Sequence, residues 1–135
     1  ASVTVDLSRL TDNTNLQIGE SGERDTVTAC NHVRGGSGAD ILIGNSGGNV
    51  LIGGAGADTL DGGANWDTAS YVTSPSGVTV SLMTGTGSGG DAQGDTLSGI
   101  ENLTGGSGND TIYGGSGRNV IDGLLPERFL FFERK

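Results

Sequence analysis

Residues 35–70 are four nine-residue units laid end to end. They read Gly-Gly-Ser-Gly-Ala-Asp-Ile-Leu-Ile, Gly-Asn-Ser-Gly-Gly-Asn-Val-Leu-Ile, Gly-Gly-Ala-Gly-Ala-Asp-Thr-Leu-Asp and Gly-Gly-Ala-Asn-Trp-Asp-Thr-Ala-Ser. Two more units occupy residues 105–113 and 114–122. A fixed period of this length constrains the fold more than any composition does, because each unit is too small to bury a core and must stack on its neighbours.

The consensus is Gly-Gly-x-Gly-x-Asp-x-U-x, with U a large aliphatic residue. Three glycines in six positions oppose both helix and regular strand, because glycine loses the most backbone entropy on ordering. They suit a tight turn that aims carbonyl oxygens at one spot. The sixth-position Asp adds a carboxylate. Carbonyl plus carboxylate is a hard-oxygen ligand set, which suits Ca²⁺ rather than zinc or copper. Imidazole and thiolate are nearly absent, with one His and one Cys in 135 residues.

The last three positions of each unit are short β-prone runs. Alternation puts the central residue on one face and its neighbours on the other. The central residues are Leu42, Leu51, Leu60 and Ala69, then Ile112 and Ile121, with Val33 and Leu103 extending the two runs backwards. Turn, strand, turn, strand makes one coil of a parallel solenoid from two units. Turns on one side then stack as unit n on unit n+2. Asp40 is expected over Asp58, and Asn49 over Asp67. A cation between stacked turns would collect oxygens from both.

The expected calcium ligands are the sixth-position residues Asp40, Asp58, Asp67 and Asp110, with weaker contributions from Asn49 and Asn119. The turn glycines Gly36, Gly38, Gly54, Gly56, Gly63, Gly106, Gly108, Gly115 and Gly117 belong to the same sites. Asp95, which ends a degenerate turn after Gly94, is a further expected metal ligand.

In these motifs the chain resembles the calcium-binding nonapeptide modules of bacterial RTX proteins, the type I-secreted toxins, proteases, lipases and epimerases. The resemblance implies an all-β, right-handed parallel β-roll with several Ca²⁺ ions between stacked turns. It also implies an extracellular setting and export by type I machinery through a C-terminal uncleaved signal. The segment Ile100-Glu101-Asn102 is similar to one in serralysin-type proteases, where the Glu helps fill a calcium site with the next turn. That implies Glu101 with Gly106, Gly108 and Asp110. Asn31 stands at the matching place before Gly36, Gly38 and Asp40, so that site is expected to be weaker.

A larger repeat contains the small one. Val3-Thr4-Val5-Asp6-Leu7 matches Val78-Thr79-Val80-Ser81-Leu82, and Asp25-Thr26-Val27-Thr28 matches Asp95-Thr96-Leu97-Ser98. The expected organisation is a first module over 1–70, a second over 71–123 and a tail over 124–135, in one continuous solenoid. The polar stretch 83–94 reads as an ordered surface excursion, with a flexible linker as the alternative.

Charge supports the calcium reading. Residues 1–123 hold four Arg and no Lys against fourteen acids. No basic patch exists for nucleic acid, which disfavours that partner. Six of the eleven Asp sit at stereotyped turn positions. Aromatic residues are only 4%, and Cys30 is alone, so no disulfide can staple the chain. Metal is the remaining staple. The chain is expected to be largely disordered without calcium and to fold on binding it.

Several departures matter. Asn45 and Asn65 replace turn glycines, and Asn tolerates the left-handed region. Trp66 is expected as a hydrophobic lid on the last coil of the first run, with ligand stacking as the alternative. Cys30 and His32 are read as structural. There is no Gly-Lys-Ser/Thr for a phosphate loop and no His-Glu-x-x-His for a zinc protease.

No apolar run approaches membrane-spanning length. The start, Ala1-Ser2-Val3, lacks the features of a cleaved signal peptide and reads as a cut through a longer protein. Residues 124–135 hold all three Phe and the only Lys. They are read as a cap on the open solenoid end, as part of a secretion signal or as foreign sequence. The functional expectation is a monomeric, noncatalytic calcium-dependent folding and secretion module of a larger extracellular bacterial protein. The alternative is part of a polysaccharide-active enzyme or adhesin.

Overall fold

A computed structural model of the chain describes residues 4–6, 16–17, 31–123 and 129–131. Almost every strand is three residues long, as a nine-residue unit with a six-residue turn requires. The strands are β1 (Thr4–Asp6), β2 (Leu16–Gln17), β3 (His32–Arg34), β4 (Ile41–Ile43), β5 (Val50–Ile52), β6 (Thr59–Asp61) and β7 (Thr68–Ser70). They continue as β8 (Thr79–Ser81), β9 (Thr86–Ser88), β10 (Thr96–Ser98), β11 (Asn102–Thr104), β12 (Thr111–Tyr113), β13 (Val120–Asp122) and β14 (Phe129–Phe131).

Among the described residues they form two sheets. One has eight strands in the order β1-β4-β6-β10-β9-β8-β12-β14, and the other has six in the order β13-β11-β7-β5-β3-β2. Successive units alternate between the sheets, so pairing joins units two apart. Leu42 aligns with Leu60 in one sheet, and Val33 aligns with Leu51 in the other, all in parallel. The architecture is the all-β parallel roll that the repeat implies.

The core is a ladder of single residues between the sheets. Val33, Leu42, Leu51, Leu60, Ala69, Leu103 and Ile112 are buried, and Ile121 packs against them. Burying each large side chain contributes about 1.5–3 kcal/mol. These are the central strand residues that the nine-residue step marks.

The duplication appears in the pairing. Val5 aligns with Leu42 as Val80 aligns with Ile112. The pairings also run across residue 70: β7 pairs with β11 and β6 with β10. Asp25 and Cys30 lie outside the described residues. In the tail, Phe129–Phe131 aligns in parallel with Thr111–Tyr113 and forms the last strand of the eight-stranded sheet.

One region departs from a purely parallel roll. After β7 the chain runs through β8, turns back antiparallel through β9, and turns again into β10 beside β6. The Met83–Gly94 stretch is therefore ordered, holding β9 and a 3₁₀ turn at Gly90–Ala92. Ala92 is fully buried and anchors the excursion on the core. The eight-stranded sheet thus gains strands that the six-stranded sheet lacks.

Candidate metal centres

Each turn meets the turn two units away through its sixth residue. The amide of Asp40 donates to Asp58 Oδ1 at 2.8 Å, and the amide of Asp58 donates to Asp95 Oδ1 at 2.8 Å. On the other side, Asn49 N donates to Asp67 Oδ1 at 2.7 Å, and Asp67 N donates to Glu101 Oε2 at 2.9 Å. The expected stacking of Asp40 on Asp58 and Asn49 on Asp67 is present. Asp95 takes the place of a full repeat above Asp58.

Glycine is required where the turns touch. A Cβ at Gly54 would collide with the Gly36 carbonyl oxygen, and one at Gly56 with the Gly38 carbonyl oxygen. Backbone oxygens of one turn therefore lie against the next turn. Among the described residues no three His, Cys, Asp or Glu side chains converge as a metal-holding group. A centre here must combine single carboxylates with carbonyls, a donor set suited to Ca²⁺.

The turns differ in how they treat the second carboxylate oxygen. Gly36 N donates to Asp40 Oδ2 at 2.6 Å and Gly106 N to Asp110 Oδ2 at 3.0 Å, and Asn45 N donates to Asn49 Oδ1 at 2.8 Å. Asp58 Oδ2 and Asp67 Oδ2 are buried and have no hydrogen-bond partner. Their turns carry Gly54 at φ 97° and Gly63 at φ 91° in the second position, a left-handed backbone open to glycine. The Gly63 amide is directed to Asp61 Oδ1 instead, at 3.2 Å.

An undonated buried carboxylate oxygen is costly, and the electrostatics register it. Burial pushes the Asp58 carboxyl up to about 6, with repulsion from Asp95, Asp40 and Asp91 adding to it against the Asp40 amide bond. Burial raises Asp67 to about 6, with Glu101 and Asp61 adding. Asp95 is also held near about 6 by burial, although the Asp58 amide and the Tyr71 hydroxyl stabilise its anion. Tyr71 donates its buried hydroxyl to Asp95 Oδ2 at 3.0 Å, and its own ionisation is pushed upward by burial and by that anion. Nothing in the repeat spacing marks Tyr71 as the partner of Asp95. A hard cation fits this environment: oxygen donors, negative charge and two unpartnered carboxylate oxygens.

Other expected ligands are placed differently. Glu101 faces Asp67 rather than Asp110, because the turns before β11 and before β12 lie on opposite sides of the roll. The turn holding Gly106, Gly108 and Asp110 stacks on the Ser74–Val78 segment instead. Val78 N donates to Asp110 Oδ1 at 3.0 Å, and Ser107 Oγ donates to the Ser74 carbonyl at 2.8 Å. Asn119 is bound by its own amide, with Nδ2 donating to the Glu101 carbonyl at 2.9 Å. Gly115 and Gly117 lie in that same turn. Asn65 adopts φ 76°, as a glycine replacement can. Asn45 instead caps its turn by accepting from Gly47 N at 2.7 Å. Trp66 is 53% exposed and does not lid the core. His32 is exposed at the start of β3.

Among the described residues, no helix is long and apolar enough to cross a membrane. Neither the curated proteins nor the solved structures compared with the chain give a match. A family model described as the RTX calcium-binding nonapeptide repeat matches in four copies, over residues 31–69 and 89–125. That match covers more than half of the sequence, and the chain belongs to the RTX calcium-binding nonapeptide repeat family.

Proposed function

We propose that this chain is a calcium-dependent folding module of a larger secreted bacterial protein, and that it supports that protein's export and stability. The carrying observation is the pair of buried, unpartnered oxygens, Asp58 Oδ2 and Asp67 Oδ2, in turns lined by neighbouring carbonyls. Asp58 with Asp40, Asp95 and the Gly36, Gly38, Gly54 and Gly56 turns would hold one group of ions. Asp67 with Glu101, Asn49 and the Gly63 turn would hold another. Asp110 and Asn119, with Gly106, Gly108, Gly115 and Gly117, are assigned weaker sites, because the two buried, unpartnered carboxylate oxygens belong to Asp58 and Asp67 instead. Bound calcium would supply positive charge between stacked acidic turns and tie them together.

Extracellular calcium modules work at roughly 10⁻⁴–10⁻³ M. A module in that range stays unfolded inside a cell and folds after export. The module is read as noncatalytic. Titration calorimetry with Ca²⁺, then with Mg²⁺, tests the proposal. Saturable calcium binding with a much weaker magnesium response is expected. No calcium heat above dilution would sink it.

A further inference from the structure

Turns entering the six-stranded sheet form one column: 44–49, 62–67, 99–101 and 114–119. Three are six-residue turns of the repeat. The third is only Gly99-Ile100-Glu101, which leaves a notch in the column. A cleft of about 400 Å³ opens there, lined by Trp66, Asn102, Arg118, Asn119 and Val120. Trp66 and Val120 are 53% and 65% exposed in it.

The walls are fixed from beneath. Glu101 accepts from Asp67 N through Oε2 and from Asn119 Nδ2 through its carbonyl, both at 2.9 Å, so one residue ties both walls. Asn102 Oδ1 accepts from Val120 N at 3.1 Å. Asn65, in a left-handed conformation, holds the Trp66 turn to Ser46 through its side-chain amide. A pre-organised cleft loses little on binding.

The lining has a definite chemistry. Trp66 is the only Trp of the chain. Arg118 is one of two Arg in residues 31–123, which contain no Lys. An exposed indole beside a guanidinium and two carboxamides suits a flat, hydroxylated ring that carries a carboxylate. The lining holds a single cation, Arg118, which matches one carboxylate rather than a densely charged polyphosphate. We propose that this cleft binds a carboxylated sugar unit of an acidic polysaccharide. The indole packs on the sugar ring, Arg118 pairs with the carboxylate, and Asn102 meets ring hydroxyls. The proposal rests on the folded chain, and Glu101 and Asn119, assigned above to calcium sites, also shape its walls.

Because Trp66 is alone, its fluorescence reports on this cleft. The test titrates a short galacturonic acid oligomer, and a neutral glucose oligomer of equal length, at buffered free Ca²⁺. Far-UV circular dichroism confirms throughout that the fold persists, which separates a failed cleft from a failed calcium fold. A saturable change with the acidic oligomer is expected, weakened roughly tenfold or more in Arg118→Gln. Calorimetry on Trp66→Phe is expected to show comparable loss with an unchanged dichroism spectrum. No saturable response from the folded protein, an equal response to the neutral oligomer, or undiminished binding in Arg118→Gln would each overturn the proposal.

Discussion

The coils at residues 35–52 and 53–70 are built from the same repeat and lie one on the other, yet they satisfy their turn side chains differently. In the first coil, Asp40 Oδ2 and Asn49 Oδ1 accept from the second-position amides of their own turns. In the second coil, Asp58 Oδ2 and Asp67 Oδ2 accept from nothing, and Gly54 and Gly63 are left-handed. The residue at position six is thus either a turn cap or an open ligand. The backbone at position two goes with the choice. Asn119 adds a third solution, since its amide donates where an Asp would need a cation.

The largest single-residue effect should ignore this difference. Leu60 is buried between the sheets and aligns with Leu42 of the first coil. Leu60→Ala should cost about 2–5 kcal/mol in saturating calcium, measured by urea unfolding. A much smaller loss would mean that the ladder core is not what calcium consolidates.

Next come the carboxylates themselves. Asp58→Asn should raise the calcium midpoint for folding by roughly tenfold or more, about 1.4 kcal/mol per tenfold, whereas Asp40→Asn should shift it less. Equal shifts from the two variants would erase the distinction between cap and ligand.

Acidity sharpens the same contrast. Asp58, Asp67 and Asp95 have folded values near about 6, above their ordinary 3.8. A carboxyl raised on folding stabilises the fold below its unfolded value, and that contribution is lost as pH rises through about 6. Without calcium, β content should therefore be higher at about pH 4.5 than at about pH 7.5. With calcium present the proton competes with the ion, and the midpoint should move to higher calcium as pH falls. Circular dichroism at both pH values, in chelator and in calcium, reads both signs. A calcium-free fold indifferent to pH would count against the buried acids as its weak point.

The smallest effect belongs to Asn49→Asp, which adds one charge above Asp67. Its calcium midpoint should fall only severalfold, because ligand charge tunes such sites while the Asn45 amide already occupies that position. A shift as large as that of Asp58→Asn would show that position two does not matter.

Much of this was legible from residue identity. Leu42, Leu51 and Leu60 mark the core because a nine-residue step returns each to the same inward position. The stacking of Asp40 on Asp58 follows from two units per coil. The excursion through β9 was legible as ordered but not as a strand. Its Thr84-Gly-Thr-Gly-Ser88 alternation has period two, but glycine hides the signal and removes the side chains that would pack. The Ile100-Glu101-Asn102 resemblance pairs Glu101 with the turn that follows it in sequence. Successive turns lie on opposite sides, so its real neighbour is Asp67, thirty-four residues earlier. Whether Gly54 or Gly36 turns left-handed is a backbone choice that the identical letters do not reveal. Trp66 is outward, in a turn whose neighbour at 99–101 has three residues rather than six.

The central claim is that calcium held in these turns folds the chain. The most direct measurement is far-UV circular dichroism at neutral pH, first in EGTA and then after restoring about 10 mM free Ca²⁺, above the working range of extracellular calcium modules. The account predicts a largely disordered spectrum in EGTA and a β spectrum once calcium returns. The same β spectrum in both would contradict it.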